Sequence, residues 1–125
     1  MDAIRILVAD SHPAVRKQIT ARLQREPDFD VVAEAGSGAE AINMARTAHP
    51  DIILIDPDGI GVESIQKIMA GNPDARVMVL TAIADTDTRM RLAKVGVNWI
   101  LAKELKTSQL VNTLHQLFDP SKIQP

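Results

Sequence analysis

Four polar side chains follow short apolar segments of the chain: Asp10, Asp56, Thr81 and Lys103. Two carboxylates can hold a divalent cation such as Mg²⁺, which prefers oxygen ligands and shares them with phosphate. A lysine ammonium neutralises phosphoryl oxygens as a point charge, and a threonine hydroxyl can donate a hydrogen bond to them. If the fold brings these four groups together, they form a site for a cation and a phosphoryl group.

The apolar segments alternate with segments of helical periodicity. They predict five strands, at Ile4–Ala9, Val31–Ala35, Ile52–Ile55, Val77–Leu80 and Trp99–Ala102. Apolar residues at three- and four-residue spacing predict five helices, the first starting near Pro13 and the last carrying Phe118. Because the strands are apolar throughout, we expect a parallel, doubly wound sheet with helices on both faces. Ligand groups gather at the carboxyl edge of such a sheet, so the four polar side chains should converge there.

The composition excludes several classes of protein. A chain of 125 residues is the size of one domain. Its longest apolar runs are four residues, so no transmembrane segment is expected, and the absence of cysteine excludes disulfides and cysteine-based zinc sites. A net charge of -2 gives no electrostatic footprint for nucleic acid. We therefore expect a soluble, cytoplasmic domain that binds neither membranes nor nucleic acid directly.

Four segments, taken in their order and spacing, resemble the receiver domains of two-component response regulators over residues 3–118. They are Ile-Leu-Val-Ala-Asp-Ser-His-Pro (6–13), Pro-Asp-Ile-Ile-Leu-Ile-Asp (50–56), Val-Leu-Thr-Ala (79–82) and Ile-Leu-Ala-Lys (100–103). The resemblance implies a flavodoxin-like α/β fold with strand order 2-1-3-4-5 and five helices. It also implies a receiver domain over residues 1–118, which leaves residues 119–125 as a tail or the start of a linker.

The segment Asp-Ser-His-Pro (10–13) is similar to the nitrate-regulator subclass. Members of that subclass usually carry a DNA-binding output domain after the receiver. Nothing after Phe118 encodes one, so such a domain would belong to a longer natural chain. The resemblance also allows a homodimer, formed through the helix-strand-helix surface around Leu92, Trp99 and Leu110.

The same resemblance implies a role for each site residue. Asp56 would accept a phosphoryl group from a histidine kinase, and Mg²⁺ would be held by Asp10, Asp56 and the backbone carbonyl of Asp58. Lys103 would contact the phosphoryl oxygens, and Thr81 would hydrogen-bond the new phosphate and change the surface for signal output. The domain would not be an enzyme beyond its self-catalysed phosphoryl acceptance and hydrolysis.

Three residues depart from the family pattern. Ser11 replaces the second carboxylate after the first strand, which is expected to weaken Mg²⁺ binding. Pro57 follows the acceptor directly and removes one backbone N–H from the loop around the phosphate. Ile100 stands where an aromatic switch residue is usual. An alternative interpretation is therefore a pseudo-receiver, which signals through protein contacts without efficient phosphorylation.

A weaker alternative is a small nucleotide-binding protein. The segment Gly36–Ala41 fits the pattern G-x-G-x-x-A between a strand and a helix. The motif follows the second predicted strand rather than the first, however, and a glycine turn before an alanine-rich helix explains it more simply.

Some residues have a plainer structural interpretation. An aspartate at a strand end often caps the next helix, and a lysine there is often solvated. The three histidines show no metal-ligand spacing. The basic residues of the first predicted helix are expected to form a solvated face: Arg16, Lys17, Arg22 and Arg25.

Overall fold

The computed structural model describes residues 3–82 and 85–119. Within them, five strands form one parallel sheet in the order β2-β1-β3-β4-β5. The strands are β1 (Ile4–Ala9), β2 (Phe29–Ala35), β3 (Ile52–Ile55), β4 (Arg76–Thr81) and β5 (Trp99–Ala102). The predicted doubly wound fold and its strand order are confirmed. Strand β2 begins two residues before the predicted start because Phe29 already pairs with Ile4.

The described residues contain six helices, one more than predicted. They are α1 (Pro13–Gln24), α2 (Gly38–Ala48), α3 (Pro57–Ile60), α4 (Val62–Gly71), α5 (Thr86–Lys94) and α6 (Thr107–Phe118). The additional element, α3, is a tight turn, since Asp58 (ψ 117°) and Gly59 (φ 82°) do not have helical backbone angles. It follows β3 directly and shapes the loop after Asp56.

Side chains of the sheet alternate between two hydrophobic cores. In β1, Leu7 and Ala9 face the core formed with α2, α4 and α5, whereas Ile6 and Val8 face the core formed with α1 and α6. This alternation follows from the two-residue period of a strand, and burial on both faces explains why the strands are apolar throughout. Polar functional groups are therefore expected at the ends of the strands and not on the two faces of the sheet.

The strand register brings the predicted site residues to one edge. Ala9 pairs with Ile55, and Ile55 pairs with Val79, so the residues that follow β1 and β3 emerge side by side. Thr81 ends β4 and pairs with Ala102, the residue before Lys103. In the described part of the chain, no helix has the length and apolar character needed to cross a membrane. Of the predicted tail, residues 120–125 lie outside the described residues.

Two of the three residues around which the dimer surface is predicted do not themselves reach the surface. Leu92 and Leu110 are fully buried, one in each core, and cannot contact a second chain. Trp99 is half-buried against the core of α1 and α6. The hydrophobic side chain that α5 does expose is Met90.

Close packing explains the glycine-rich segment after β2. Ser37 caps α2 by accepting a hydrogen bond from the N–H of Glu40. A Cβ atom on Gly38 would collide with the Ser64 hydroxyl and would lie 2.9 Å from the carbonyl oxygen of Ile60. The glycine lets α2 approach α3 and α4, so its presence requires no nucleotide.

Gly38→Ala should therefore lower the free energy of unfolding by roughly 1 to 3 kcal/mol, the usual cost of overpacking. The matched control is Gly71→Ala at the end of α4, where an added Cβ meets nothing within 4 Å. That control should be neutral or slightly stabilising. Urea denaturation of the three proteins measures both effects, and equal stability of wild type and Gly38→Ala would contradict the packing explanation.

Candidate functional site

The four predicted site residues lie together at the carboxyl edge of the sheet. The ammonium nitrogen of Lys103 lies 2.7 Å from Oδ2 of Asp10 and 2.5 Å from Oδ2 of Asp56, so one cation contacts both carboxylates. Thr81 ends β4, which lies between β3 and β5, and it lines the same cleft. Its backbone oxygen accepts a hydrogen bond from the N–H of Lys103 at 3.1 Å. The predicted convergence is confirmed.

Burial makes the charged groups of this cluster depend on one another. Asp10 and Asp56 are only 1% and 3% exposed, and buried charges are stable only when they are paired. Burial alone would raise the pKa of Asp10, but hydrogen bonds from Lys103 and His12 outweigh it and hold that pKa below its usual value of 3.8. Burial likewise opposes the charge on Lys103, yet its contacts with Asp10 and Asp56 raise its pKa above 10.5.

The loop after β1 places His12 in the site. The backbone N–H of His12 donates to Oδ1 of Asp10 at 2.9 Å, and its Nδ1 lies 3.1 Å from the same oxygen. One ligand atom each from Asp10, His12 and Asp56 lie within 4.8 Å of one another. The sequence does not predict His12 as a site residue, because the three histidines show no metal-ligand spacing and no further ligands are evident beside His12 and Asp10. The signal was the position of His12 two residues after Asp10, where an aspartate commonly forms an Asx turn.

The loop after β3 has the same construction. The N–H of Asp58 donates to Oδ1 of Asp56 at 2.9 Å, so the residue after Pro57 supplies a donor that the proline cannot. The hydroxyl of Ser11 donates to the carbonyl oxygen of Asp58 at 3.1 Å and joins the two loops. The side chain of Asp58 is 73% exposed, with Oδ2 3.8 Å from Nε2 of His12. It therefore does not replace the carboxylate that Ser11 lacks.

The predicted solvated basic face of α1 is wrong for two of its residues. Arg16 donates to the backbone oxygen of Asp10 at 2.8 Å and to Glu34 at 3.2 Å. Arg22 donates to the backbone oxygen of Leu105 and to the hydroxyl of Thr107, both at 2.9 Å. These arginines hold the backbone beside Asp10 and the segment after Lys103. Lys17 and Arg25 are exposed as expected.

A cleft of about 500 Å³ opens over the ion cluster. It is lined by His12, Val15, Asp56, Pro57, Asp58, Gly61, Val62, Thr81, Ala82, Thr88, Arg91 and Lys103. Its floor is charged and its walls are partly apolar. The Asp56 carboxylate, the Lys103 ammonium and Thr81 thus line one space that is large enough for a small phosphorylated group.

Comparisons with known proteins agree with this geometry. The family model described as the response regulator receiver domain matches residues 6–115. Over 114 residues the chain is 30% identical to the DNA-binding transcriptional activator DevR/DosR of Mycobacterium tuberculosis, covering 89% of this chain and 52% of that protein. It is 32% identical over 114 residues to the transcriptional regulatory protein LiaR of Bacillus subtilis, covering 89% and 54%.

Solved structures agree on the fold. The signal receiver domain of the putative response regulator NarL from Mycobacterium tuberculosis has a TM-score of 0.85 at 22% identity, and the alignment covers 94% of this chain and 98% of that one. The chain spans about half the length of the curated relatives described above.

Removal of the central cation should destabilise the fold in a pH-dependent way. Lys103→Met leaves two buried carboxylates facing each other, and at pH 7 it should lower the free energy of unfolding by up to about 3 kcal/mol. Because the pKa of Asp10 is lowered in the folded state, this group stabilises the fold at pH values above 3.8. That stabilisation is lost as the pH falls through the pKa of Asp10 in the folded protein. The variant lacks this contribution, and Asp10 without the ammonium beside it takes up a proton more readily, so the penalty should shrink from pH 7 towards pH 4.

Urea denaturation at several pH values tests this expectation, with Lys67→Met at an exposed position of α4 as the control. The control should stay within about 0.5 kcal/mol of wild type. A Lys103→Met penalty of the same size at every pH would contradict the loss of charge pairing as its cause.

Proposed function

The chain belongs to the response regulator receiver domain family, and from that premise we propose that it accepts a phosphoryl group on Asp56 from a histidine kinase. The observation that carries the proposal is the contact of one lysine ammonium with two buried carboxylates at the floor of a cleft. Phosphoryl transfer needs mainly positioning and charge stabilisation, and this cluster supplies both.

The transfer itself is a displacement at phosphorus. A carboxylate oxygen of Asp56 forms a new bond to phosphorus while the bond from phosphorus to the imidazole nitrogen of the donor breaks. The electron pair of the broken bond stays on that nitrogen. Lys103 stabilises the negative charge on the phosphoryl oxygens, and Thr81, buried at the end of β4, donates a hydrogen bond to them.

The donor set at the site fits Mg²⁺. Asp10 and Asp56 offer carboxylate oxygens, and with both ionised they outnumber the Lys103 ammonium by one negative charge. The carbonyl oxygen of Asp58 accepts from Ser11 but has a second lone pair for a cation. When bound, Mg²⁺ neutralises charge on the carboxylates and the phosphoryl oxygens.

Pro57 and Ser11, which favour the pseudo-receiver alternative from sequence, have local compensations. The N–H of Asp58 hydrogen-bonds the acceptor carboxylate in place of the donor that Pro57 lacks. Ser11 ties the loops after β1 and β3 together. Both features support an acceptor that is held in position.

The wider role follows from the relatives. One of them is named as a DNA-binding transcriptional activator and another as a transcriptional regulatory protein. We propose that this receiver controls transcription in the cytoplasm through a DNA-binding output domain carried by a longer natural chain. It would act as a phosphorylated switch and not as an enzyme on separate substrates.

Incubation with a small-molecule phosphodonor and Mg²⁺ should add one phosphoryl group to the wild-type protein, measured as intact mass. Asp56→Asn should abolish the gain because the amide is not a nucleophile. Asp58→Asn, which changes an exposed carboxylate two residues away, should keep it.

Two results would contradict the proposal. A gain that survives in Asp56→Asn would exclude Asp56 as the acceptor. No gain in a folded wild-type protein would favour the pseudo-receiver instead.

A further inference from the structure

His12 adds a nitrogen donor to a site whose other ligands are oxygens. Its ring is half-exposed at the mouth of the cleft, with a side-chain exposure of 52%. Nδ1 lies 3.1 Å from Oδ1 of Asp10, and Nε2 lies 3.8 Å from Oδ2 of Asp58. Each ring nitrogen therefore has a carboxylate oxygen beside it, one from each of the two loops.

This arrangement has the features of a ligating histidine. A histidine that binds a metal through one nitrogen usually donates its other N–H to a carboxylate, which fixes the ring orientation. His12 can do so through Nδ1 with Asp10, at 3.1 Å. To accept from Nε2, the exposed carboxylate of Asp58 would have to approach by several tenths of an ångström from its distance of 3.8 Å. Its ring lies on the Oδ1 side of Asp10, whereas Lys103 contacts Oδ2. The lysine and a cation held by His12 would thus use different oxygens.

The site also has one carboxylate fewer than the family pattern. Serine at position 11 supplies a hydroxyl, which already donates to the carbonyl of Asp58. Among the described histidine and acidic side chains, those of Asp10, His12 and Asp56 lie close enough together to share a cation. Carboxylate, carbonyl and water ligands suit Mg²⁺, whereas imidazole suits later first-row transition metals. With a hydroxyl in place of one carboxylate and an imidazole beside the other two, the balance of ligands moves towards the latter.

We propose that His12 is a metal ligand and that it makes this site prefer a divalent first-row transition metal over Mg²⁺. The inference rests on the proposed function, because it concerns the same cation site. It assigns to His12 a share of the binding energy that depends on the metal: large for an ion that bonds well to nitrogen and small for Mg²⁺.

Calorimetric titration with Co²⁺ and with Mg²⁺ tests the proposal without any phosphodonor. The variant is His12→Asn, which suits the first position before α1 because asparagine is a favoured N-cap residue. The control is His49→Asn, which also removes one imidazole and which asparagine tolerates at the left-handed backbone of His49 (φ 50°).

His12→Asn should weaken Co²⁺ binding by at least roughly tenfold, since the loss of even an outer-shell partner costs that much. Its Mg²⁺ affinity should stay within about twofold of wild type. His49→Asn should change neither. In the Co²⁺-loaded wild-type protein, proton NMR should show a hyperfine-shifted imidazole N–H resonance that is absent from His12→Asn.

The proposal is overturned if wild-type protein binds no Co²⁺, if His12→Asn binds it as tightly as wild type, or if both metals are weakened equally. Its failure is distinguishable from failure of the proposed function. Co²⁺ binding through His12 without phosphoryl uptake would refute only the acceptor role of Asp56. Phosphoryl uptake with Mg²⁺ and no effect of His12→Asn would refute only the metal preference.

Discussion

The contact between the Lys103 ammonium and the carboxylates of Asp10 and Asp56 is the interaction on which this site depends. Two carboxylates buried side by side repel each other and lose their hydration, and neither cost is tolerable without a cation between them. The sheet brings these groups together. Its parallel strands are covered on both faces, so the polar residues that follow the strands lie at the carboxyl ends, on one side of the sheet. The position of Lys103 directly after β5 lets one side chain reach both acids.

The loops around the cluster hold it by hydrogen bonds rather than by apolar packing. Asp10 and Asp56 each accept the N–H of the residue two positions later, which folds each loop over its own carboxylate. The Ser11 hydroxyl then joins these loops. Ser11, which departs from the family pattern, therefore has a local structural role, and a cleft lies above the acids.

The features that depend on periodicity and topology could be predicted from the sequence. The features that depend on the conformation of individual side chains could not. The convergence of Asp10, Asp56 and Lys103 follows from the apolar segments and the parallel sheet, whereas the strand order was implied by the family resemblance. The contacts of His12 and Arg16 depend on loop conformation and rotamers, which no periodicity records. The helical face of Arg16 indicates solvent, yet a long side chain can turn back to bond the strand end. The predicted dimer surface around Leu92 came from the resemblance alone, and Leu92 itself is buried and adds nothing to that surface.

The most direct test of the ion cluster is the titration of its carboxyl groups, followed by ¹³C NMR as the pH is lowered. The account predicts that the pKa of Asp10 lies below 3.8 in the wild-type protein, despite burial, and that it rises in Lys103→Met. A wild-type pKa at or above 3.8, or one that Lys103→Met leaves unchanged, would contradict it. In that case the lysine would not be what keeps the buried carboxylate charged.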